Sequence, residues 1–354
     1  MTELPLVSVV TPFYNTRTFL AECIESVLAQ TYKRFEYLLV DNLSTDGSAE
    51  IAAQYATQDS RIRVIRNKKF VGQVPNYNGA LLHVNPQARY VKMVQADDLI
   101  FPECLDRMVA VAERHPTAAI ISSYRLRGKD VAGTGIPWPT ELVPGADISR
   151  LQLLEGNYVF GSPSTLLYRA TLLETRKPFF SETSLFDDSD MCYETLAGAD
   201  LGFVHQVLSF SRVGNSGTLT GIDSYNWHLL NSYLTLTRFG PTFLTDDEMT
   251  ARMRPIRAGY LRMLGEAKLL GREPEFWAYH SRGLATVGET LPSNWEMRGE
   301  LGRAGFKALA KPFWFWRERS RHKRRASVNA AAPVSVAPAS FVNRNSYPVA
   351  RSEW

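Results

Sequence analysis

Short apolar runs alternate with segments of helical periodicity along the first 125 residues. Runs with the length and composition of buried strands occur at 7–11, 37–40, 62–65, 90–94 and 118–121. Between them, apolar residues recur every three or four positions, as they do over residues 19–28. Strands that alternate with helices predict an α/β fold, with a doubly wound, mostly parallel sheet flanked by helices.

Composition divides the rest of the chain. Residues 128–144 are rich in glycine and proline and are expected to form a loop. The segments that follow are a mixed helix and strand part (145–220), a mostly helical region (221–310), an aromatic and basic segment (311–325) and a disordered tail rich in Ala, Ser and Pro (326–354). We expect residues 1–220 to form one domain with two halves, 5–125 and 145–220.

The composition excludes several classes of protein. Of the 354 residues, 45% are hydrophobic, which is enough for a large core and excludes global disorder. No apolar run of about 18 residues is present, so a membrane-spanning helix is not expected. No basic region precedes the first apolar residues, and Cys23, Cys104 and Cys192 lie far apart. Both features predict a cytoplasmic protein.

The net charge of +4 comes from one short segment. Residues 317–325 (RERSRHKRR) hold six Lys or Arg and one Glu, which leaves 34 basic and 35 acidic residues elsewhere. An extended basic surface is therefore not expected, and nucleic acid is not a predicted partner.

Polar residues follow three of the predicted strands, namely Pro12–Asn15, Asp41 and Asp97–Asp98. Ligands of open α/β sheets bind beyond the carboxyl ends of the strands. We therefore expect these three clusters to converge in one crevice. Adjacent carboxylates such as Asp97 and Asp98 suit a hard divalent cation that holds a diphosphate, and the alternative is a solvated acid pair before a helix.

Isolated residues at the strand ends have two interpretations each. Asp41 could accept a hydrogen bond from a nucleobase or a ribose hydroxyl, or it could cap the following turn. Tyr14 could stack on a base or pack on the first helix. A second acidic cluster, Asp187, Asp188 and Asp190, could supply a general base or could complement the dipole of a helix.

Together these segments resemble the family 2 glycosyltransferases of the GT-A fold, over residues 5–215. The segments that carry the resemblance are VSVVTPFYN (7–15), ESVLAQTYKRFEYLLVDNLSTDGS (25–48), NYNGAL (76–81), QADDL (95–99), FGSPSTLLYR (160–169) and FDDSDMCYETL (186–196). The resemblance implies a GT-A domain over 1–220 with a nucleotide-binding half (5–125) and an acceptor half (145–220).

The resemblance also implies roles in binding a nucleotide sugar, with a UDP-sugar expected. Pro12 and Tyr14 would line the nucleobase pocket, and Asp41 would form a hydrogen bond with the base. Asn15 and Asn76 complete the substrate-binding residues expected on this side.

The acidic residues would act on the sugar and the diphosphate. Asp97 would contact the ribose or the sugar, and Asp98 would bind Mn²⁺ or Mg²⁺ bridging the diphosphate. Asp188 would deprotonate the acceptor hydroxyl, with Asp187 beside it in the substrate site. The family inverts the anomeric centre by direct displacement, so the resemblance implies a metal-dependent, hexosyltransferase-type enzyme.

Several residues depart from the family pattern. Gln95 replaces the first acid of the D-x-D-D element, and Asn42 and Leu43 replace the usual Asp-Gly after Asp41. Gly214 lies where many members have a histidine near the diphosphate. These departures motivate an alternative function, a catalytically inactive protein of the same fold that binds nucleotide sugars. A nucleotidyltransferase ranks third, because the first loop (TPFYNTRTF) lacks the glycines that would hold a triphosphate.

The expected acceptor is a glycan or a lipid-linked glycan, in the synthesis of a cell-surface polysaccharide. The Q-x-x-R-W element of processive synthases is absent, so transfer of a single sugar is expected. Aromatic residues beside the basic run predict peripheral attachment of residues 306–325 to an anionic membrane surface. The alternative is an aromatic helix packed on the catalytic domain, followed by a solvated basic linker.

Overall fold

A computed structural model describes residues 3–156, 158–213 and 225–299 of the chain. The chain forms two compact units, and the boundary between them lies between residues 217 and 218. The first unit contains the sheet and the second unit is helical. The predicted segments 311–325 and 326–354 lie outside the described residues.

The first unit alternates strands and helices in the predicted order. Its strands are β1 (Val7–Phe13), β2 (Phe35–Asp41), β3 (Ile62–Arg66), β4 (Tyr90–Met93), β5 (Leu99–Ile100), β6 (Ala118–Arg127), β7 (Asp130–Ala132), β8 (Leu142–Val143), β9 (Leu167–Arg169) and β10 (Asp200–Ser211). Its helices are α1 (Arg17–Leu28), α2 (Ser48–Gln58), α3 (Gln73–Leu81), α4 (Cys104–Arg114), α5 (Gly145–Glu155), α6 (Leu172–Thr175) and α7 (Asp187–Leu196). The prediction of an α/β fold is confirmed.

The strands form one mixed sheet in the order β3-β2-β1-β4-β9-β6-β10-β5, with β7 on β6 and β8 on β10. The pairs β3-β2, β2-β1, β1-β4 and β6-β10 are parallel. Between the two parallel groups lies the short antiparallel strand β9. Because β1, β2 and β3 run in the same direction, their carboxyl ends meet at one edge of the sheet.

Burial of apolar side chains on both faces holds the sheet and its helices together. Strand β1 is buried along its whole length, and α1 buries Leu20, Cys23, Ile24 and Val27 on one face. Full burial of a Leu, Ile or Val side chain contributes about 1.5–3 kcal/mol. The spacing of three and four residues between the buried positions of α1 is the helical periodicity that the sequence shows.

The predicted loop at 128–144 is wrong in part. It contains the short strands β7 and β8, which pair antiparallel with β6 and β10 respectively. Glycine and proline in this segment indicated a loop, but edge strands of two or three residues are too short to show an alternating pattern.

The second unit consists of α8 (Trp227–Phe243), α9 (Asp246–Leu270) and α10 (Pro274–Ala285), which confirms the helical prediction for the described part of 221–310. Helix α9 begins at a capping box in which Thr245 and Glu248 each bind the backbone of the other, and it ends at Gly271 in the left-handed conformation. Among the residues that the structure describes, no helix is both long and apolar enough to cross a membrane.

Candidate active site

The first two strands bring the nucleotide-side residues together. Phe13 at the end of β1 is in register with Asp41 at the end of β2, and Pro12 is in register with Val40. Tyr14 and Asn15 follow directly in the loop that leads to α1. The parallel register therefore places Pro12–Asn15 beside Asp41, at the sheet edge where the sequence predicts a crevice.

Tyr14 and Asn15 have distinct environments. Tyr14 is 44% exposed, and its ring lies 4.8 Å from that of Phe70, centroid to centroid. Asn15 adopts a left-handed backbone conformation with φ of 51°, which asparagine tolerates better than most residues. Its Oδ1 accepts a hydrogen bond from the Thr45 amide at 2.8 Å, so Asn15 joins the loops after β1 and β2.

Asp41 is buried and uses its two carboxylate oxygens differently. Oδ1 accepts a hydrogen bond from the Ser44 amide at 2.8 Å, which is the turn-capping role. Oδ2 lies 3.3 Å from Nε of Arg66 but accepts no hydrogen bond from the described part of the chain. One oxygen thus fixes the turn, while the other is a buried acceptor available to a ligand donor.

An asparagine network holds the segment after β3. Nδ2 of Asn67 donates to Oδ1 of Asn42 at 2.9 Å and to Oδ1 of Asn76 at 2.8 Å. Nδ2 of Asn42 donates to the Val71 carbonyl at 2.8 Å. In the structure Asn76 is buried and supports this loop, and its contact with substrate stays a prediction.

The acid pair after β4 divides into a half-buried and a fully buried carboxylate. Asp97 is partly exposed, whereas Asp98 is 0% exposed. Oδ2 of Asp98 accepts from Oγ of Ser211 at 3.2 Å, and Oδ1 accepts from the Arg212 amide at 3.3 Å. A solvated acid pair is therefore the wrong interpretation for Asp98, which the end of β10 orients.

The second acidic cluster forms the first turn of α7, where Asp187, Asp188 and Asp190 are all buried. Burial raises the pKa of the Asp187 carboxyl well above its usual range, and the charges of Asp188 and Asp190 raise it further. A raised pKa favours the protonated form of the Asp187 carboxyl. Oδ1 of Asp188 accepts from the Ser189 amide at 2.7 Å.

A buried arginine links the two acidic clusters. Burial lowers the pKa of the Arg125 guanidinium to about 10, while Tyr158, Asp188 and Asp98 act in the opposite direction. Arg125 is 4% exposed, and its Nη1 donates no hydrogen bond within the described ranges. Asp98 and Asp188, 90 positions apart in the sequence, thus lie within electrostatic reach of one guanidinium.

Tyr77 of α3 is a second residue that both acidic clusters influence. Its hydroxyl accepts from Gln73 at 2.5 Å and from Gln95 at 3.2 Å. Burial raises the pKa of Tyr77, and the charges of Asp97 and Asp187 add to that increase. Asp97 of one cluster and Asp187 of the other therefore both lie within electrostatic reach of the Tyr77 hydroxyl.

The sequence interpretation missed Arg125 and Tyr77. The predicted fifth strand ended at residue 121, but β6 continues to Arg127 and presents alternate polar residues on one face. The alternation of Ser123, Arg125 and Arg127 was the signal available in the sequence. In the segment 76–81 the two asparagines carry the family resemblance, and no sequence signal marks Tyr77. Only the tertiary structure places its hydroxyl near the acids.

Comparison with known proteins identifies the segment that carries Asp41, Asp97 and Asp98. Residues 8–176 match the family model described as glycosyl transferase family 2. This segment belongs to that family. The resemblance stated from the sequence is confirmed.

Curated relatives match parts of the chain. The putative glycosyltransferase EpsE of Bacillus subtilis is 36% identical over 198 residues, which are 54% of this chain and 66% of EpsE. The putative teichuronic acid biosynthesis glycosyltransferase TuaG of the same organism is 34% identical over 126 residues, which are 36% of this chain and 49% of TuaG. The chain thus spans less than two thirds of the length of these relatives.

Solved structures show the same fold. The S. aureus TarS 1–349 structure in complex with UDP-GlcNAc superposes with a TM-score of 0.55 at 18% identity, covering 79% of this chain and 80% of that one. This similarity confirms the predicted GT-A architecture.

Proposed function

We propose that this chain is an inverting glycosyltransferase that moves a single sugar from a nucleotide-sugar donor to a hydroxyl of a glycan or lipid-linked acceptor in cell-surface polysaccharide synthesis. The observation that carries the proposal is that Asp98 and Asp188 both lie within electrostatic reach of the buried Arg125, in a chain whose residues 8–176 match glycosyl transferase family 2. The name of TuaG, a putative teichuronic acid biosynthesis glycosyltransferase, supports polysaccharide synthesis.

The donor would bind along the ends of β1 and β2. Tyr14 offers an exposed ring for stacking, Pro12 lies beside it, and Oδ2 of Asp41, which accepts no hydrogen bond from the described residues, is an acceptor for a base N–H. The UDP-GlcNAc in the TarS structure favours a UDP-sugar as the donor. Asp97, partly exposed at the end of β4, would bind a hydroxyl of the ribose or the sugar.

The chemistry of the residues around Asp98 fits a hard divalent cation. Hard cations prefer oxygen ligands, and Asp98 supplies a carboxylate, while the buried Oε1 of Gln95 accepts no hydrogen bond from the described residues. Those residues contain no cluster of three His, Cys, Asp or Glu side chains suited to a metal, so the diphosphate would complete the coordination. When bound, Mn²⁺ or Mg²⁺ neutralises charge on the leaving diphosphate.

Asp188 would act as the general base. Its carboxylate removes the proton of the acceptor hydroxyl as the oxygen attacks the anomeric carbon, and the bond between that carbon and the diphosphate oxygen breaks on the opposite face. Burial and the charges of Asp188 and Asp190 raise the pKa of the neighbouring Asp187 carboxyl, which favours its protonated form. Residues 1–220 would form the catalytic domain, with the nucleotide half at 5–125 and the acceptor half at 145–220.

A second candidate function is a nucleotide-sugar-binding protein without catalysis. The observation in its favour is Gln95, which stands where the family pattern has the first acid of the metal site. The two candidates predict the same donor binding and differ only in turnover.

Replacement of the proposed base separates the two functions. We expect Asp188→Asn to lower kcat about 10²- to 10⁴-fold, because general base catalysis contributes a factor of that order. The KM for the donor should change little, since Asp188 faces the acceptor. The measurement is nucleotide release from a panel of UDP- and GDP-hexoses with Mn²⁺ and an oligosaccharide acceptor mixture.

The matched control for Asp188→Asn is Asp130→Asn, which alters an exposed acid on the edge strand β7. Control and parent should have equal rates. A parent that binds UDP-sugars but transfers none supports the non-catalytic candidate, and equal activity in parent and Asp188→Asn contradicts the assignment of the base.

A further inference from the structure

The segment between β3 and α3 is held over the end of β2 by backbone contacts. The Asn67 amide donates to the Asp41 carbonyl at 2.9 Å. At the other end of the segment, the Asn42 side chain forms two hydrogen bonds with Val71. Its Nδ2 donates to the Val71 carbonyl at 2.8 Å, and its Oδ1 accepts from the Val71 amide at 3.2 Å. Residues 67–71 are therefore fixed on both sides of Phe70.

The strand order determines what Phe70 covers. Strand β2 lies between β1 and β3 in the sheet, and Asp41 is its last residue. Tyr14 follows β1 and Phe70 follows β3, yet their rings are 4.8 Å apart. The two rings can meet only across the end of β2. They therefore lie beyond the strand end from which the Asp41 carboxylate projects.

Packing alone does not account for Phe70. Both rings are 44% exposed, so about half of each aromatic surface is available to a ligand. Lys68 and Lys69 precede Phe70, and a phenylalanine beside two lysines is not part of a core pattern. Two exposed rings suit a planar heterocycle that carries an N–H group, because the nearby Oδ2 of Asp41 accepts no hydrogen bond from the described residues, although Nε of Arg66 lies 3.3 Å from it.

We propose that Phe70 is a second aromatic contact for the nucleobase of the donor, beside Tyr14, and that Asn42 is the positioning residue that holds it there. The inference rests on the proposed nucleotide-sugar donor and adds the residue that recognises its base. The class of ligand is a base with a ring N–H next to a carbonyl, as in uracil.

Asn42 has a role here that an acid in the same place would lack. The family signature places an acid after Asp41, and a carboxylate cannot donate to the Val71 carbonyl. The asparagine amide both donates to and accepts from the Val71 backbone, as a neighbouring strand would. Asn42, although it departs from the family pattern, therefore holds the backbone next to Phe70 in place.

The test measures binding of uridine, UMP and UDP to the full chain by titration calorimetry. Phe70→Ala should weaken all three ligands by the same factor of about tenfold, because one stacked base contributes roughly that much. Phe70→Tyr should bind like the parent, since it keeps the ring. Inorganic pyrophosphate should bind equally to all variants because it has no base.

Two further variants separate positioning from stability. Phe70→Leu keeps the apolar volume without the aromatic face and should lose as much affinity as Phe70→Ala, whereas Leu82→Ala, at an exposed position directly after α3, should lose none. Asn42→Asp should weaken UMP binding and speed hydrogen exchange at residues 67–71, with pyrophosphate binding unchanged.

Each outcome decides the question. If Phe70→Ala and Phe70→Leu bind UMP as tightly as a parent that binds it well, this inference is wrong while the proposed function stands. If the parent binds no nucleotide at all, the proposed function fails and the inference fails with it.

Discussion

At the scale of single residues, the crevice depends on charges that balance one another away from water. Arg125 is 4% exposed and would be costly to bury alone. The charges of Asp98 and Asp188 favour its charged form, and Tyr158 places a ring beneath it at 6.0 Å. Arg125 in turn stabilises two carboxylates that the proposed chemistry requires in their charged form.

We expect Arg125→Met to lower the free energy of unfolding by about 3 kcal/mol at neutral pH, because removing one partner leaves buried charges uncompensated. Arg125→Lys, which keeps the charge, should lose less. Arg212→Met is a matched control, because this arginine pairs with the more exposed Glu22. Urea unfolding followed by circular dichroism measures the three values, and an Arg125→Met variant as stable as the parent would contradict this account.

At the scale of elements, the helical unit closes around a buried histidine. Nε2 of His280 donates to the Tyr225 carbonyl at 2.9 Å, which fixes the tautomer because a carbonyl only accepts. Nδ1 then accepts from the Tyr260 hydroxyl at 3.0 Å. Burial lowers the pKa of His280 to about 4, so the ring is neutral in the folded protein at pH 7.

This pKa makes the helical unit sensitive to acid. As the pH falls from about 6.5 to 4, the unfolded chain binds a proton that the folded chain does not, so stability falls as the pH is lowered. We expect His280 to reduce the free energy of unfolding by about 2 kcal/mol between pH 7 and pH 5. Thermal unfolding of parent and His280→Gln across this range measures the difference.

The matched control for His280→Gln replaces His83, which is exposed. His83→Gln should keep the parental pH dependence, whereas His280→Gln should flatten it. A parental slope in His280→Gln would show that other groups cause the loss in acid.

At the scale of the whole molecule, charge is distributed unevenly along the chain. Residues 317–325 carry +5, while the remainder of the chain sums to −1. Phe313–Trp316 (FWFW) lies directly before this run. Aromatic residues beside clustered cations are typical of attachment to an anionic lipid surface, which would bring the protein to the proposed lipid-linked acceptor.

We expect the full chain to sediment with vesicles of phosphatidylcholine and phosphatidylglycerol, and a version that ends at Ala310 to stay in the supernatant. Each cation near the surface contributes about 1 kcal/mol, so added salt should release the full chain. Vesicles of phosphatidylcholine alone are the control. Equal sedimentation of both versions with the anionic vesicles would leave the prediction without support.

Local patterns were sufficient to predict the architecture. Strand and helix alternation predicted the α/β sheet because burial on both faces of β1 and β2 requires continuous apolar runs, which a sequence shows directly. The acids at the strand ends were found for the same reason, since Asp41 and Asp98 directly follow such runs. The short strands β7 and β8 were not predicted, because two or three residues are too few to show an alternating hydrophobic pattern.

The sequence by itself determined the fold class, the family and the acids that carry the proposed chemistry, because periodicity and motif order are local properties of the chain. Only the tertiary structure decided which residues meet. It placed Asp98 and Asp188 within electrostatic reach of Arg125 and brought Phe70 against Tyr14 across β2. Contacts of this kind depend on strand order and side-chain burial, which residues distant in the sequence establish together.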